Sequence, residues 1–68
     1  MAAKQPSSLP RRILRLPTVL SLTGLGRTYI YEQMKMGKFP QSKPIGVRAV
    51  GWDSLEIEAW VNERLNGN

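Results

Sequence analysis

A chain of 68 residues and 7.7 kDa makes one small domain, and folding at this length buries only roughly 60% of the surface that the unfolded chain exposes. The sequence contains neither Cys nor His, which excludes disulfide bonds, thiolate nucleophiles, the usual zinc ligands and an imidazole base. We therefore expect no enzyme activity, no cofactor and no metal site. The hydrophobic fraction of 41% is ordinary for a globular protein and predicts a small core.

The charge is unevenly distributed along the chain. Ten Lys and Arg residues against five Asp and Glu residues give a net charge of +5. Residues 1–52 contain nine basic residues and one acid, Glu32, whereas residues 53–68 contain Arg64 and four acids. A basic balance alone serves solubility as well as it serves an anionic partner. The concentration of the basic residues in one part of the chain favours a polyanion, such as nucleic acid, as the binding partner.

The first ten residues, MAAKQPSSLP, contain two Pro and two Ser and no periodic apolar pattern. We predict a flexible arm over residues 1–11, followed by a single domain over residues 12–66. No apolar stretch reaches the roughly 20 residues needed to span a bilayer, and the N-terminus lacks the apolar stretch of a secretory signal. The expected location is the cytoplasm, with no membrane partner.

A first helix of about two turns is predicted from Leu16. Pro17 suits the first helical position, and a short apolar stripe follows it. Gly24 fits the left-handed position after a helix, and Gly26 can serve as a modest N-cap for a second helix. The stripe consists of Val19, Leu20 and Leu22.

The second helix is predicted from Arg27 to about Met36, with Gly37 as its stop. Ile30 and Met34 are four residues apart, define the inward face and are expected in the core. At 100° per residue, the opposite side of the helix collects polar residues. They are Thr28, Glu32 and Lys35, with Tyr31 on the flank, where it suits a core position as well as a phosphate contact.

Residues 41–52 contain Pro and Gly as turn formers and three β-branched residues without helical periodicity. The pattern predicts a short β-hairpin around Gly46 and Val47. Along one face of its second strand, the side chains would change from charged at the turn to aromatic at the end that lies in the core. That face comprises Arg48, Val50 and Trp52.

A last helix is predicted to follow Asp53, which together with Glu56 has the form of a capping box. An apolar stripe follows at helical spacing, acidic residues lie off it, and Gly67 provides a stop. We expect the helix to bury one face and expose an acidic one. The stripe comprises Ile57, Trp60, Val61 and Leu65, and Trp60 is expected in the core rather than on a stacking surface.

Helix, tight turn, helix, hairpin and closing helix is the order of a winged helix-turn-helix domain, mainly α with a small β-hairpin. Residues 12–65 also resemble the AlpA family of prophage transcriptional regulators. The motifs that carry the resemblance are T-G-L-x-R at 23–27, T-x-I-Y at 28–31, K-x-G-K-F-P at 35–40, R-A-V-G-W at 48–52 and E-x-E-A-W at 56–60.

The resemblance implies a bacterial, nucleoid-associated protein of the MerR and excisionase type, encoded on prophages and integrative elements. Such a protein acts on transcription of recombination functions. Two positions depart from the family pattern. Gly26 stands where Ser is usual, which gives up a side-chain cap worth a few tenths of a kcal/mol. Glu32 stands where a basic residue is common, so the base preference of the family does not transfer at this point.

The candidate DNA contacts follow from this arrangement. The start of the second helix favours phosphate, and its outward face would lie against base edges in the major groove. Basic residues after that helix and at the hairpin suit the phosphate backbone or a groove, although each also serves as a simple solvated cation. The full set is Arg27, Thr28, Tyr31, Glu32, Lys35, Lys38, Lys43 and Arg48.

Three functions remain open on the sequence. The first is a sequence-specific regulator of prophage or integrative-element genes that binds double-stranded DNA. The second is an excisionase-like architectural factor that bends an attachment site. The third is a protein-interaction adaptor that uses the acidic helix over residues 53–66. An RNA-binding module is disfavoured, because the pattern lacks a four-stranded sheet with paired aromatics. Weak self-association on DNA, or contact with a recombinase or RNA polymerase, is an expected accompaniment.

Overall fold

Residues 10–67 are described by the computed structural model, so the predicted arm lies almost wholly outside the described residues. In this part of the chain, three helices and one antiparallel sheet of three short strands, in the order β1-β3-β2, make up the fold. This confirms the predicted fold class. The elements are β1 (Ile13–Leu14), α1 (Leu16–Thr23), α2 (Arg27–Lys35), β2 (Lys43–Gly46), β3 (Ala49–Asp53) and α3 (Ser54–Asn66).

The turn between α1 and α2 is built by Thr23 and Gly24. Gly24 has a φ of 73°, and its amide donates to the Leu20 carbonyl over 2.8 Å. The Thr23 hydroxyl donates to the Val19 carbonyl over 2.8 Å and accepts from the Leu25 amide over 3.2 Å. The left-handed glycine satisfies a carbonyl at the helix end, as predicted. The turn therefore sends the chain directly into α2.

A second left-handed glycine ends α2. Gly37, with a φ of 73°, donates its amide to the Met34 carbonyl over 3.0 Å, and the Lys38 amide donates to the Gln33 carbonyl over 2.8 Å. These two bonds form a Schellman motif, which closes the helix and reverses the chain. The next residue, Phe39, is consequently delivered into the core.

Strand β1 was not predicted from the sequence. Leu14 pairs with Trp52, and Ile13 pairs with Asp53. Just before the strand, the Arg12 amide donates to the Ser54 hydroxyl over 2.7 Å, and the Ser54 amide donates to the Arg12 carbonyl over 2.9 Å. These bonds tie the start of the domain to the first turn of α3.

The hairpin of β2 and β3 turns at Val47 and Arg48, one position later than the sequence suggested. Its register changes between the pair Pro44 and Val50 and the pair Gly46 and Ala49. Ile45 therefore lies in a bulge, which locally increases strand twist. The proline belongs to an edge strand, where a missing amide donor is tolerated.

One contiguous core lies between the sheet and the helices. Trp52 is 1% exposed and donates its indole N–H to the Pro40 carbonyl over 3.1 Å, so this polar group is satisfied inside. Met34 and Trp60 are partly buried and pack against the core, as does Val61. Leu65 is 77% exposed, so its predicted place on the buried stripe is wrong. Within residues 10–67, the buried apolar residues are Leu14, Val19, Ile30, Phe39, Trp52 and Ile57.

The first turn of α3 confirms half of the predicted capping box. The Asp53 carboxylate accepts from the Leu55 amide over 2.9 Å, which is an N-cap bond. The Glu56 carboxylate instead accepts from the Lys43 ammonium over 3.0 Å, so it ties α3 to the hairpin. No helix within residues 10–67 is long and apolar enough to cross a membrane.

Candidate nucleic-acid interface

The outward surface of α2 collects the predicted contacts around one shallow depression. Five side chains line it, and all five end in a polar or charged group. All five are exposed, whereas Ile30 on the opposite side of the helix is fully buried. The periodicity of α2 therefore separates a core side from a solvent side. The solvent side, hereafter the α2 face, comprises Arg27, Thr28, Tyr31, Glu32 and Lys35.

The N-terminus of α2 adds positive potential to this face. Gly26 is the N-cap residue, no side chain caps it, and the first turn contains no acid. Backbone N–H groups at such an end carry a partial positive charge and suit a phosphate oxygen. Arg27, the first residue of the helix, places a full charge at the same end. The combination is suited to a phosphate of a nucleic acid backbone.

The cations of the α2 face are available for a partner. Within the described residues 10–67, neither Arg27 nor Lys35 has a carboxylate oxygen within 4.0 Å. Glu32 is likewise without an ion pair in this part of the chain, so the structure does not show a local pair with Lys35. A carboxylate that is not engaged by a neighbouring cation can accept a hydrogen bond from a base edge.

The remaining predicted contacts lie outside α2. Lys38 is exposed in the loop after α2, and its carbonyl accepts the Trp60 indole N–H over 2.9 Å, which fixes the backbone at this point. Arg48 is exposed at the hairpin turn. Lys43 begins β2, and its ammonium pairs with Glu56. A phosphate contact by Lys43 would therefore compete with this exposed ion pair, which is worth little by itself.

Two acids of α3 and its cap are compensated within the fold. The guanidinium of Arg11 lies 2.8 Å from the Asp53 carboxylate. The hydrogen bond from Arg11, followed by the bond from the Leu55 amide, lowers the pKa of Asp53 below its usual range. Glu56 is paired with Lys43. The uncompensated negative charge of this helix is consequently smaller than the sequence suggests, and Glu58 and Glu63 carry most of it.

Neither tryptophan offers a free ring for stacking on bases. Trp52 is buried, and Trp60 packs edge-on against Phe39 with ring centroids 4.9 Å apart. The guanidinium of Arg64 covers the Trp60 ring at 4.6 Å from its centroid. Both indoles therefore serve the fold, which disfavours a base-stacking surface on this side of the molecule.

Two exposed residues near the predicted contacts were not singled out from the sequence. Tyr29 is exposed on α2, and Val47 is fully exposed at the hairpin turn. The helical wheel placed Tyr29 outside the polar sector, and no periodicity marks a turn residue. Only the length of the hairpin loop could have pointed to Val47. Within residues 10–67, no group of three or more Asp and Glu side chains is placed to hold a metal ion.

Comparison with known proteins places this chain in a family. The family described as Prophage CP4-57 regulatory protein (AlpA) matches residues 12–65, which include every strand and helix described above except the last residue of α3. The DNA-binding transcriptional activator AlpA of Escherichia coli K12 is 39% identical over 59 residues, covering 78% of this chain and 84% of that protein. No solved structure gives a significant match.

Two phage proteins are also similar. ORF88 of Enterobacteria phage P4 is 39% identical over 62 residues, covering 91% of this chain and 70% of that protein. The probable excisionase hkaC of Shigella phage Sf6 is 34% identical over 61 residues, covering 85% of this chain and 91% of that protein. The chain belongs to the AlpA family of prophage regulatory proteins.

Proposed function

We propose that this protein is a sequence-specific regulator of prophage or integrative-element genes that binds double-stranded DNA with α2 in the major groove. The observation that carries the proposal is the α2 face. It combines two available cations, an uncapped helix N-terminus and three further side chains that can bond or contact base edges. A major groove about 12 Å wide admits one helix of this kind.

The contacts divide into two kinds. Arg27 and the N-terminus of α2 would hold a phosphate, and Lys38, Lys43 and Arg48 would hold further phosphates or line a groove. The middle of the helix would read base edges. Its readers would be Thr28, Tyr31, Glu32 and Lys35. Glu32 would repel phosphates but accept a hydrogen bond from the amino group of cytosine, so its expected contribution is selectivity rather than affinity.

The relatives support this assignment. The transcriptional activator of Escherichia coli that shares 39% identity is named as DNA-binding. A protein with this role would act in the bacterial cytoplasm, at the nucleoid. Contacts with RNA polymerase, a recombinase or a second copy on DNA would accompany the role.

The salt dependence of duplex binding tests the proposal. If about four phosphates are neutralised, the logarithm of the binding constant should fall with the logarithm of the salt concentration with a slope of about −3.6. Fluorescence anisotropy of labelled duplexes from 50 to 200 mM salt, a range typical for such titrations, measures the slope. Duplexes enriched by the protein from a random library serve as the specific probe, and the starting library serves as the non-specific one.

A matched pair of variants sharpens the test. Lys38→Ala should weaken binding to all duplexes alike and reduce the slope by about one. Leu65→Ala, at an exposed position of α3, should change neither. The proposal would be contradicted if the binding constant did not change with salt, or if the protein enriched no particular sequence from the library.

An excisionase-like architectural role is a second candidate. It is favoured by the relatives named as probable excisionases, which are 34% identical to this chain. A regulator that reads an operator need not deform it, whereas an architectural factor would bend the attachment site at some cost in deformation energy. Electrophoretic mobility of complexes with the protein site placed at different positions along one fragment would separate the two, because only a bend makes mobility depend on position.

The adaptor hypothesis loses support from the structure. It requires an acidic helix face, but Asp53 and Glu56 are already paired with Arg11 and Lys43. The charge that remains for a partner on α3 is smaller than the sequence implied. A partner that binds this helix in the absence of DNA would restore the hypothesis.

A further inference from the structure

The loop between α2 and β2 is anchored by two tryptophans from elsewhere in the fold. The Trp60 indole N–H donates to the Lys38 carbonyl over 2.9 Å. The Trp52 indole N–H donates to the Pro40 carbonyl over 3.1 Å. Two carbonyls of residues 38–41, hereafter the anchored loop, are therefore turned toward indoles that lie in the core or pack against it.

The residue between these two carbonyls fixes the anchored loop further. Phe39 is 3% exposed and belongs to the core. Its carbonyl accepts from the Gln41 carboxamide over 3.3 Å, and the same carboxamide donates to the Met34 carbonyl over 2.8 Å. These bonds join the loop to the end of α2. The backbone of the loop is thus held in place before any partner binds.

Fixing the carbonyls also fixes the amide groups of the loop. Its peptide bonds are trans, and the C=O and N–H of one planar trans peptide unit point in opposite directions. The Phe39 N–H therefore points away from the Trp60 indole, and the Gln41 N–H points away from the Trp52 indole. Within residues 10–67, neither of these two amides donates to another protein group. Two fixed donors are left for solvent or a partner.

The charges around the anchored loop favour an anionic partner on the side of these amides. Residues 33–52 contain four basic residues and no Asp or Glu. In the described part of the chain, neither Lys35 nor Lys38 has a carboxylate oxygen within 4.0 Å. Glu56 and Glu63 do border the loop, but they belong to α3, the helix toward which the Lys38 carbonyl points. Backbone N–H groups near uncompensated cations suit phosphate oxygens.

Resting on the proposed function, we infer that the anchored loop is a phosphate clamp made by the backbone, in which the N–H groups of Phe39 and Gln41 donate to phosphodiester oxygens beside the groove that α2 occupies. Donors that are already held in place need little further ordering on binding, and their bonds to a charged oxygen are of the stronger kind. Because these amides carry no charge and contact no base, the clamp adds affinity without sequence preference.

Replacing Gln41 with proline removes one of the two donors. Proline has no N–H, but the Pro40 carbonyl remains an amide acceptor for the Trp52 indole. Gln41→Ala is the matched control, because it loses the same carboxamide and keeps the N–H. Gln41→Pro should bind selected and unselected duplexes alike about tenfold more weakly than Gln41→Ala, which corresponds to the lower end of the range for a hydrogen bond to a charged group.

The salt dependence separates the clamp from a lysine contact. Loss of an uncharged donor should leave the slope of the binding constant against salt, both as logarithms, equal in Gln41→Pro and Gln41→Ala. Lys38→Ala, in contrast, should reduce the slope by about one. Circular dichroism and thermal unfolding check that Gln41→Pro is folded.

A change in the DNA identifies the phosphate and does not depend on the variant. Single phosphates of a selected duplex are replaced in turn by methylphosphonate, which is uncharged and lacks one of the two free oxygens. At the phosphate that the clamp holds, this replacement should weaken binding of Gln41→Ala several-fold and of Gln41→Pro much less. In the labelled wild-type protein, the amide NMR shifts of Phe39 and Gln41 should change with the natural duplex and return toward their free values with that methylphosphonate duplex.

The outcomes separate the inference from the proposed function. If the wild-type protein binds selected duplexes with a steep salt dependence but Gln41→Pro binds as tightly as Gln41→Ala, the clamp fails alone. Amide shifts of Phe39 and Gln41 that stay at their free values in the wild-type complex would also overturn it, whether or not the variant folds. If no duplex is bound at all, the proposed function fails and the inference fails with it.

Discussion

Replacing Gly51 with alanine tests the packing of β1 on the sheet. A Cβ atom at this position would lie 2.6 Å from Cγ2 of Ile13, 3.2 Å from Cδ1 of Ile45 and 3.2 Å from the Leu14 carbonyl oxygen. Carbon atoms in good contact are about 3.5–4.0 Å apart. Ile13 has to move by about 1 Å to restore that separation, but its Cγ2 is attached to a stiff β-branched carbon within a paired strand.

The expected loss of stability follows from two opposing effects. Overpacking a well-packed site costs about 1–3 kcal/mol. Gly→Ala also restricts the unfolded chain, which returns about 0.4–1 kcal/mol. The approach of 2.6 Å to Ile13 places the overpacking cost in the upper half of its range, at about 2–3 kcal/mol. With a return of up to about 1 kcal/mol from the unfolded chain, the net destabilisation of Gly51→Ala should be at least about 1–2 kcal/mol. For a domain of this size, each kcal/mol shifts the midpoint of thermal unfolding by roughly 4–8 °C, so a decrease of about 4–16 °C is expected.

Thermal unfolding monitored by circular dichroism measures this shift, and the same hairpin offers a control. At Gly46, a Cβ atom would lie 3.7 Å from the Ala49 Cβ, which is an ordinary contact. Gly46→Ala should therefore change stability by no more than about 0.5 kcal/mol. If Gly51→Ala is as stable as Gly46→Ala, then Ile13 does not cover Gly51 as described, and the placement of β1 is refuted.

Three further predictions concern charge, the closing helix and selectivity. The lowered pKa of Asp53 means that its paired carboxylate stabilises the fold above the unfolded-state pKa, and that this contribution is lost as the pH falls through the lower folded-state value. Arg11→Gln should raise the Asp53 pKa in NMR titrations and reduce the difference between unfolding free energies at neutral and acidic pH, and an unchanged pKa would contradict the pairing. Trp60→Ala removes the contacts with Phe39 and the bond to the Lys38 carbonyl, so it should lower the free energy of unfolding by about 3 kcal/mol in denaturant titrations. Arg27→Ala should instead leave the thermal midpoint nearly unchanged and weaken DNA binding. A folded Trp60→Ala protein that has lost only DNA binding would contradict the assignment of Trp60 to the core. Glu32→Ala should raise affinity for non-specific duplexes and relax preference at one base pair in a repeated library selection, and unchanged selectivity would remove Glu32 from the base-reading set.

The helices were predictable because their ends are encoded locally. Gly24 and Gly37 both adopt the left-handed conformation that stops a helix, and Asp53 caps the next one. In contrast, β1 is only two residues long and depends on partners such as Ser54, 42 positions from Arg12. No local pattern carries that information. The strand could be found only by knowing which parts of the chain meet.

Burial was predicted well near the middle of the elements and poorly at their ends. Ile57 lies where α3 packs on the core, but Leu65 lies two turns further on, where the described chain provides no covering layer. Gln33 is buried although it is polar, and no apolar periodicity marks a polar residue as buried. The α2 face followed directly from helical period, since Ile30 fixes which side is inward. The role of its side chains on DNA stays a prediction.

The central claim is that α2 is the surface that meets DNA. Its most direct test is the change in backbone amide NMR shifts when a duplex selected from a random library is titrated into the labelled protein. The largest changes are expected at the α2 face and at Gly26, with smaller ones at the hairpin turn and none at Asn62 or Leu65 of α3. Changes that cluster on α3, with residues 26–35 unaffected, would contradict the account.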